Sequence, residues 1–321
     1  MAKVTVTGGA GFIGHNVVNR LLEAGHEVTV VDNLSKGDIK NLDMDKINFR
    51  QADLCNSEQT KGILDDMEYC FHFAAKIGGI AYFHKYPAEI LRDNTLMLSN
   101  LLDAARDSKE FKKMVYISSS MVFERTQTFP SKEEDIFTSP PPITHYGFSK
   151  LVGEYYCRAF NEQYGMKYSI FRPFNAYGPG EVPEHEVGIA HVIPDLIRKV
   201  YIDKQYPVEI LGDGDQIRAY TYVTDLADAI STLTFDPRTD NEDYNVSNPN
   251  ANTVMELLER IWKMCGDERK LEVKHLPVFK DDVKKRVPDT GKIQSLGWKP
   301  KVDLDEGLKL TFDWITETVK K

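Results

Sequence analysis

Cysteine is sparse in this chain and never closely paired. Its four cysteines, Cys55, Cys70, Cys157 and Cys265, lie far apart, with no CxxC spacing. That spacing excludes a zinc knuckle and a dithiol redox motif, so no metal site is expected and the thiols are expected to be reduced, as in a cytoplasmic protein. Long apolar runs are missing too. No stretch approaches the roughly 20 residues that span a bilayer, so no membrane association is expected. The first residues carry a strand pattern, not a charged segment followed by an apolar one, and no signal peptide is expected. Basic charge is in deficit, with 40 Lys and Arg against 49 Asp and Glu and a net charge of −9. Nucleic acid is therefore not an expected partner, although a few local Arg and Lys residues can still hold a phosphate.

What is present suits a globular protein. With 321 residues, 41% hydrophobic and 28% charged, the chain can bury a large α/β domain and a smaller appended lobe. Short apolar runs at Lys3–Thr7, Glu27–Asp32, Asn48–Arg50, Tyr69–Phe73, Lys113–Ser118 and Lys167–Arg172 read as strands. Helical patterns lie between them at Phe12–Ala24, Glu58–Asp66, Pro87–Asp107 and Tyr146–Tyr164. This alternation predicts a doubly wound parallel sheet with helices on both faces. Residues 1–173 are expected to form that domain. Residues 174–321 are expected to form most of a mixed α/β lobe, with some segments returning to the first domain. Helices are expected there at Val192–Tyr201, Asp225–Phe235, Val254–Cys265 and Leu304–Val319. The charged run Lys280–Arg286 reads as a solvated turn, with Arg286 as a candidate exception.

The turn after the first strand carries a specific chemistry. Gly9, Gly11 and Gly14 fit GxGxxG, and Gly8 supplies a second spacing. Glycines there allow a tight turn, a close approach of backbone to a pyrophosphate, and close packing of helix on strand. The phosphates then meet free N–H groups at a helix N-terminus. Asp32 ends the second strand, where a carboxylate accepts hydrogen bonds from a ribose 2′-OH and repels a 2′-phosphate. NAD is thus the expected cofactor. Asp53 and Leu54 follow the third strand and are candidates for the adenine side, with an ordinary loop acid as the alternative for Asp53.

Tyr146 and Lys150 are four apart, which puts both on one face of a helix. An ammonium beside a phenol favours the phenolate and makes tyrosine a plausible general base. Ser118, Ser119 and Ser120 follow the strand ending at Ile117, at the sheet edge where α/β proteins present reactive groups. Together with TGGAGFIG at Thr7 to Gly14, VVDN at Val30 to Asn33, HFAA at His72 to Ala75, Asn94, YGFSK at Tyr146 to Lys150, RPFNAYGPG at Arg172 to Gly180, GDGDQIRAYTYVTDLADA at Gly212 to Ala229 and PDTGKIQSLGW at Pro288 to Trp298, these features resemble extended short-chain dehydrogenases that act on nucleotide sugars. The resemblance covers nearly the whole chain.

The resemblance implies a Rossmann-type fold and a set of roles. Ser119 would bind the sugar hydroxyl, Tyr146 would be the base, and Lys150 would hold the nicotinamide ribose. Cofactor contacts would come from Gly8, Gly11, Phe12, Ile13, Gly14, Asp32, Asn33, Asp53, Leu54, Ala74, Ala75, Lys76 and Asn94. The substrate, a nucleotide-diphosphate sugar, would meet Ser119, Ser120, Asn175, His191, Arg218 and Arg286. Arg218 as a structural ion pair and His191 as a plain helix cap are the alternatives. Relatives often dimerise through the helices at Pro87–Asp107 and Tyr146–Tyr164, which implies a homodimer.

Three reactions compete within that family. Sugar 4,6-dehydratases carry Asp-Glu where this chain has Ser120 and Met121, so dehydration is not expected. A GDP-fucose-synthase-like or GDP-mannose-epimerase-like branch is suggested by Lys76–Ile80, Tyr86–Ala88 and His191–Pro194. Its catalytic cysteine, however, falls on Met121, which cannot transfer a proton. A UDP-glucose-4-epimerase-like reaction needs only Ser119, Tyr146, Lys150 and NAD, and it is the expected one. A sugar-nucleotide reductase, a UDP-glucuronate decarboxylase and a non-catalytic NAD-binding regulator stand as the other readings.

Overall fold

The computed structural model describes residues 1–184, 188–266, 268–278 and 283–319. The first half runs β1 (Lys3–Thr7), α1 (Phe12–Glu23), β2 (Glu27–Asp32), β3 (Asn48–Gln51), α2 (Ser57–Thr60), β4 (Tyr69–His72), α3 (Ile80–Lys85), α4 (Pro87–Asp107), β5 (Lys113–Ile117), α5 (His145–Tyr164) and β6 (Lys167–Pro173). The second half adds β7 (Ala176–Tyr177), α6 (Val192–Ile197), β8 (Val208–Leu211), β9 (Ile217–Ala219), β10 (Thr221–Tyr222), α7 (Val223–Leu233) and β11 (Glu242–Val246). It closes with β12 (Ala251–Thr253), α8 (Val254–Met264), β13 (Val273–Leu276), β14 (Lys285–Arg286), α9 (Gly291–Ser295) and α10 (Leu304–Val319).

A seven-stranded sheet runs β3-β2-β1-β4-β5-β6-β11, and all its pairings are parallel. Val4, Val6, Val28, Val30 and Val31 are almost fully buried, because helices cover both faces of a parallel sheet. Alternate strand residues divide between two cores. Val17, Val18 and Leu21 of α1 meet Leu226, Ile230 and Leu233 of α7 on one face. Leu98, Leu101 and Leu102 of α4 meet Cys157 of α5 on the other. A third core joins α6, α8 and α10 through Ile193, Leu196, Leu258, Ile261, Leu308 and Ile315. Strand order reverses between β1 and β4, and such a switch point opens a crevice at the carboxyl ends of the strands.

Several elements depart from the sequence expectation. The helix expected over Glu58–Asp66 is only Ser57–Thr60, because Gly62 and Asp66 take left-handed φ values of +68° and +63°, which a right-handed helix cannot contain. The helix expected over Val192–Tyr201 stops at Ile197 and continues as a wider turn over Arg198–Ile202. Of the run read as a solvated turn, residues 280–282 lie outside the described residues, and Lys285–Arg286 is a strand parallel to β9. Strand β11 has no apolar run to announce it, yet four of its five residues are buried. No helix among the described residues is long and apolar enough to cross a membrane, and the four cysteines are free.

The polar residues of β11 are buried because they have partners. Arg172 on β6 is fully buried and grips both carboxylate oxygens of Glu154 on α5, each at 2.7 Å. The same guanidinium pairs with Asp243 on β11. Burial pushes the Asp243 carboxyl upward, but the charges of Arg172, Lys292 and Arg158 outweigh it and hold the carboxyl below its ordinary range. Glu154 also accepts a 2.6 Å hydrogen bond from Ser118, next to the expected catalytic serine. Replacing Arg172 by Met would strand the Glu154 charge in the interior, which costs about 3–5 kcal/mol. Urea unfolding of Arg172→Met should show a loss of that size, and a loss below about 1 kcal/mol would mean that the pair carries little weight.

Candidate active site

The crevice at the switch point is a continuous cleft of about 930 Å³, at the upper end of the roughly 300–1,000 Å³ usual for ligand sites. Its floor is the turn after β1. Gly8 has φ +68°, and a Cβ there would lie 2.5 Å from the backbone nitrogen of Ala74, just past β4. A Cβ at Gly14 would lie 2.2 Å from the carbonyl oxygen of Gly8. Only glycine lets the turn, α1 and the end of β4 close together this tightly. Gly11 caps α1 without a side-chain hydrogen bond, so the first-turn N–H groups face the cleft open to an anion.

Asp32 is buried at the end of β2 and lines the cleft. One carboxylate oxygen accepts from the Ala10 N–H at 3.0 Å and the other from the Leu34 N–H at 2.8 Å. Each retains capacity for a second hydrogen bond, as a ribose diol requires. Lys36 also lines the cleft, but its ammonium donates to the Ile77 carbonyl at 3.0 Å. The glycine cradle, the open helix end and the acid at the second strand together fit NAD. His72 braces this floor from beneath, with Nδ1 2.7 Å from Thr7 Oγ1. Burial drives its pKa down to about 3, so it stays neutral and moves no proton.

The catalytic helix is seated by its own cap. Thr144 accepts from the Gly147 N–H at 3.1 Å, and Glu124 in turn accepts from the Thr144 N–H at 2.8 Å. A Cβ at Gly147 would lie 2.7 Å from the Met121 carbonyl oxygen, so helix start and serine loop touch. Ser119 opens that loop, its Oγ accepting from the Met121 N–H at 3.2 Å. Tyr146 is 3% exposed. Burial raises its pKa, while a hydrogen bond with Ser119 and the charge of Arg286 pull it down. Lys150 donates to the Ile117 carbonyl at 2.8 Å, and its ammonium stands 5.9 Å from the Tyr146 ring centre. Burial pushes the Lys150 pKa down to about 8, so its positive charge fades above that pH.

Gly8, Gly11, Phe12, Ile13, Gly14, Asp32, Asn33, Asp53, Leu54, Ala74, Ala75, Lys76, Ser119, Ser120, Tyr146, Lys150, Asn175, His191 and Arg286 all line this one cleft. Asn94 and Arg218 do not. The Asn94 amide is spent on the structure, accepting from the Lys76 N–H at 2.7 Å and donating to Ser149 at 3.1 Å. Arg218 is buried on β9 and donates to the carbonyls of Ile217 and Lys284. Arg286 reaches the centre instead, its guanidinium 2.9 Å from Met121 Sδ and 3.5 Å from Ser120 Oγ. The pairing of β14 with β9 delivers it there. Asp53 spends one oxygen on the Cys55 N–H, and Asn175 donates to the Ala219 carbonyl at 2.8 Å.

His191 stands at the start of α6 but makes no side-chain cap; it pairs with Glu181 instead. Sequence spacing offered no signal for Glu181, nor for Phe83, whose ring stacks on Tyr146. Met121 is 6% exposed and packs against Tyr146 without any proton-transferring group.

A dinucleotide-binding turn and a Ser–Tyr–Lys site at the carboxyl edge of one doubly wound sheet define an extended short-chain dehydrogenase. Comparison with known proteins agrees. The model of the NAD dependent epimerase/dehydratase family matches residues 4–247. A solved UDP-glucose 4-epimerase of Thermotoga maritima, with UDP-glucose, is 34% identical and superposes with a TM-score of 0.88 over 99% of each chain. A UDP-N-acetylglucosamine 4-epimerase of Methanobrevibacter ruminantium, in complex with UDP-N-acetylmuramic acid, is 30% identical with a TM-score of 0.88, again over 99% of each chain. GDP-L-fucose synthase 1 of Arabidopsis thaliana is 30% identical over 99% of this chain and 94% of its own length. The chain belongs to the NAD dependent epimerase/dehydratase family, and its cofactor is NAD.

Asp32 should set the choice between the two dinucleotides. In calorimetric titrations NAD should bind more tightly than NADP. Asp32→Ala should weaken NAD and narrow the gap, since it removes both the ribose acceptor and the repelling charge. Equal or tighter binding of NADP by the unmutated protein would overturn the assignment.

Proposed function

We propose that the protein is a UDP-hexose 4-epimerase working through a transient 4-keto sugar. One observation carries the reading: Ser119, Tyr146 and Lys150 line one cleft while Met121, without an acid or base, fills the position where the dehydratase and GDP-sugar branches would need one. The two solved 4-epimerases above support it.

In this reading Ser119 holds the sugar 4-hydroxyl and Tyr146 takes its proton. Bound NAD supplies the acceptor, and afterwards the donor, of the C4 hydride. Burial alone would leave Tyr146 a weak acid that ionises too rarely to serve as a base. The Ser119 hydrogen bond and the Arg286 charge pull against burial without cancelling it, and an ammonium as near as that of Lys150 favours the phenolate while it stays charged, below about pH 8. Arg286 keeps its charge throughout the working range, so it carries more of this task as pH rises. The 4-keto sugar then turns within the cleft and receives hydride on its other face, while Tyr146 returns the proton. Proton abstraction at C3 or C5 would need a competent partner where Met121 stands.

Tyr146→Phe keeps the ring and most of its packing but removes the oxygen that takes the proton. Turnover should fall by about 10²–10⁴-fold, with NAD content unchanged. The assay uses UDP-glucose, UDP-galactose and their N-acetyl and uronic forms, run in deuterated water. Retained turnover in the variant rejects Tyr146 as base. Deuterium at C3 or C5 rejects simple 4-epimerisation and turns attention to His191 and Glu181.

A homodimer through α4 and α5 is part of the same proposal. These helices pack side by side on the sheet, and Leu96, Phe148 and Tyr155 leave large apolar surface exposed on them, Tyr155 by 56%. Phe148 and Tyr155 are seven apart and share a face. Sedimentation should give the dimer mass, and Phe148→Glu with Tyr155→Glu should give the monomer. A monomeric unmutated protein rejects the proposal.

A further inference from the structure

Tyr146 is held by more than its own helix. Its ring lies nearly parallel to that of Phe83, with centres 4.6 Å apart and planes at 6°. Phe83 is 7% exposed and shares one apolar cluster with Ile90, Met121 and Tyr146. Stacked rings at this separation attract and fix each other's plane. A phenol hydroxyl lies in its ring plane, so whatever sets Phe83 also sets the direction from which the Tyr146 oxygen meets a substrate.

Phe83 sits on α3, six residues long and too short to stand by itself. Its start is tied to the opposite wall of the cleft. The Gly79 N–H donates to the Ile189 carbonyl at 2.7 Å, and the Ala81 N–H donates to the Gly188 carbonyl at 3.0 Å. A Cβ at Gly79 would lie 2.2 Å from the Gly188 oxygen. Gly79 has φ −75°, open to any residue, so glycine is required there for space alone. The stretch 188–191 leads into α6 and gives Ile189, Ala190 and His191 to the cleft. A path of direct contacts thus runs from the wall of the smaller lobe through Gly79 and Phe83 to Tyr146.

We propose that Phe83 is a positioning residue for Tyr146, and that the Gly79–Gly188 contact makes its position depend on the cleft wall at residues 188–191. This rests on the reading of Tyr146 as the base. A sugar nucleotide seated against that wall then also aligns the base, so that binding and proton transfer are linked through geometry. Phe83 further shields one face of the phenol from water. The polar and charged groups facing Tyr146 come from other elements: Ser119 and Tyr116 from β5 and its loop, Lys150 from α5, and Arg286 from β14. On α3 itself, Tyr82 packs at the edge of the cluster, and His84 and Lys85 lie in its last turn.

The test uses the full chain loaded with NAD, with kcat measured against pH on UDP-galactose or UDP-glucose. Phe83→Ala should lower kcat by about 10- to 100-fold, with KM changing by less than about threefold. The acid limb of the kcat profile should move down by about one unit, because water reaches the phenol and relieves the burial that raises its pKa. Phe83→Tyr should restore both quantities. Phe83→Leu, which keeps the site dry and guards against a folding failure, should lower kcat without moving the limb. Gly79→Ala should do the same by pushing back residue 188. Unmutated kcat and an unmoved limb in Phe83→Ala overturn the inference, as does a kcat loss that only tracks loss of folded protein. Tyr146→Phe is measured in parallel. If it stays active, the base assignment fails and this inference with it; if it is inactive while Phe83→Ala behaves as unmutated protein, the inference alone fails.

Discussion

Beneath the serine loop, the guanidinium of Arg172 and the carboxylate of Glu154 meet with neither exposed to solvent. Four pieces of the molecule converge on this pair. Arg172 brings β6, Glu154 brings α5, Asp243 brings the edge strand β11, and Ser118 brings the end of β5. Two charges in a low-dielectric interior tolerate little displacement, since each lost hydrogen bond leaves a desolvated charge behind. The distance between the serine loop on β5 and the tyrosine helix α5 is thereby fixed from below. The proposed roles of Ser119 and Tyr146 depend on that distance.

The upper side of the site is built by the opposite means. Around Tyr146 the contacts are apolar, from Phe83, Ile90 and Met121. This box keeps water out and would by itself disfavour the phenolate. The groups that work against this enter from separate elements, Ser119 from the loop after β5 and Arg286 from β14, with the Lys150 ammonium beside the ring from the same helix. The acidity of the tyrosine is a balance in which burial outweighs the Ser119 hydrogen bond and the Arg286 charge. Each neighbour is held by its own anchor, such as the Ile117 carbonyl for Lys150.

Family membership narrows the chemistry, and one side chain narrows it further. The resemblance places the acid or base of the 4,6-dehydratases and of the GDP-sugar branch beside the serine. Here Met121 occupies that place and lends its sulfur to Arg286. A thioether neither gives nor takes a proton, which is why the proposed reaction is confined to oxidation and reduction at C4. His191 pairs with Glu181 at the far wall of the cleft.

The sequence by itself determined the dinucleotide site and the catalytic helix, because both are local. GxGxxG needs only neighbouring residues to make its turn, and a Tyr and Lys four apart share a helix face whatever surrounds them. It also carried the alternation of apolar runs that makes a parallel sheet. Tertiary structure decided the rest. Strand β11 lacked an apolar pattern because its polar side chains find buried partners on β6 and in the loop before α5, contacts separated by 70 residues or more. Two arginines looked alike in sequence, but the register of β14 on β9 sends Arg286 to the serine loop and leaves Arg218 bonded to backbone. Asn94 read as a cofactor ligand, but its amide bonds Lys76 and Ser149 and it does not line the cleft. Phe83 carried no motif at all. It stacks on Tyr146 from a helix whose start meets Gly188 across the cleft, and spacing along a chain does not encode such a contact.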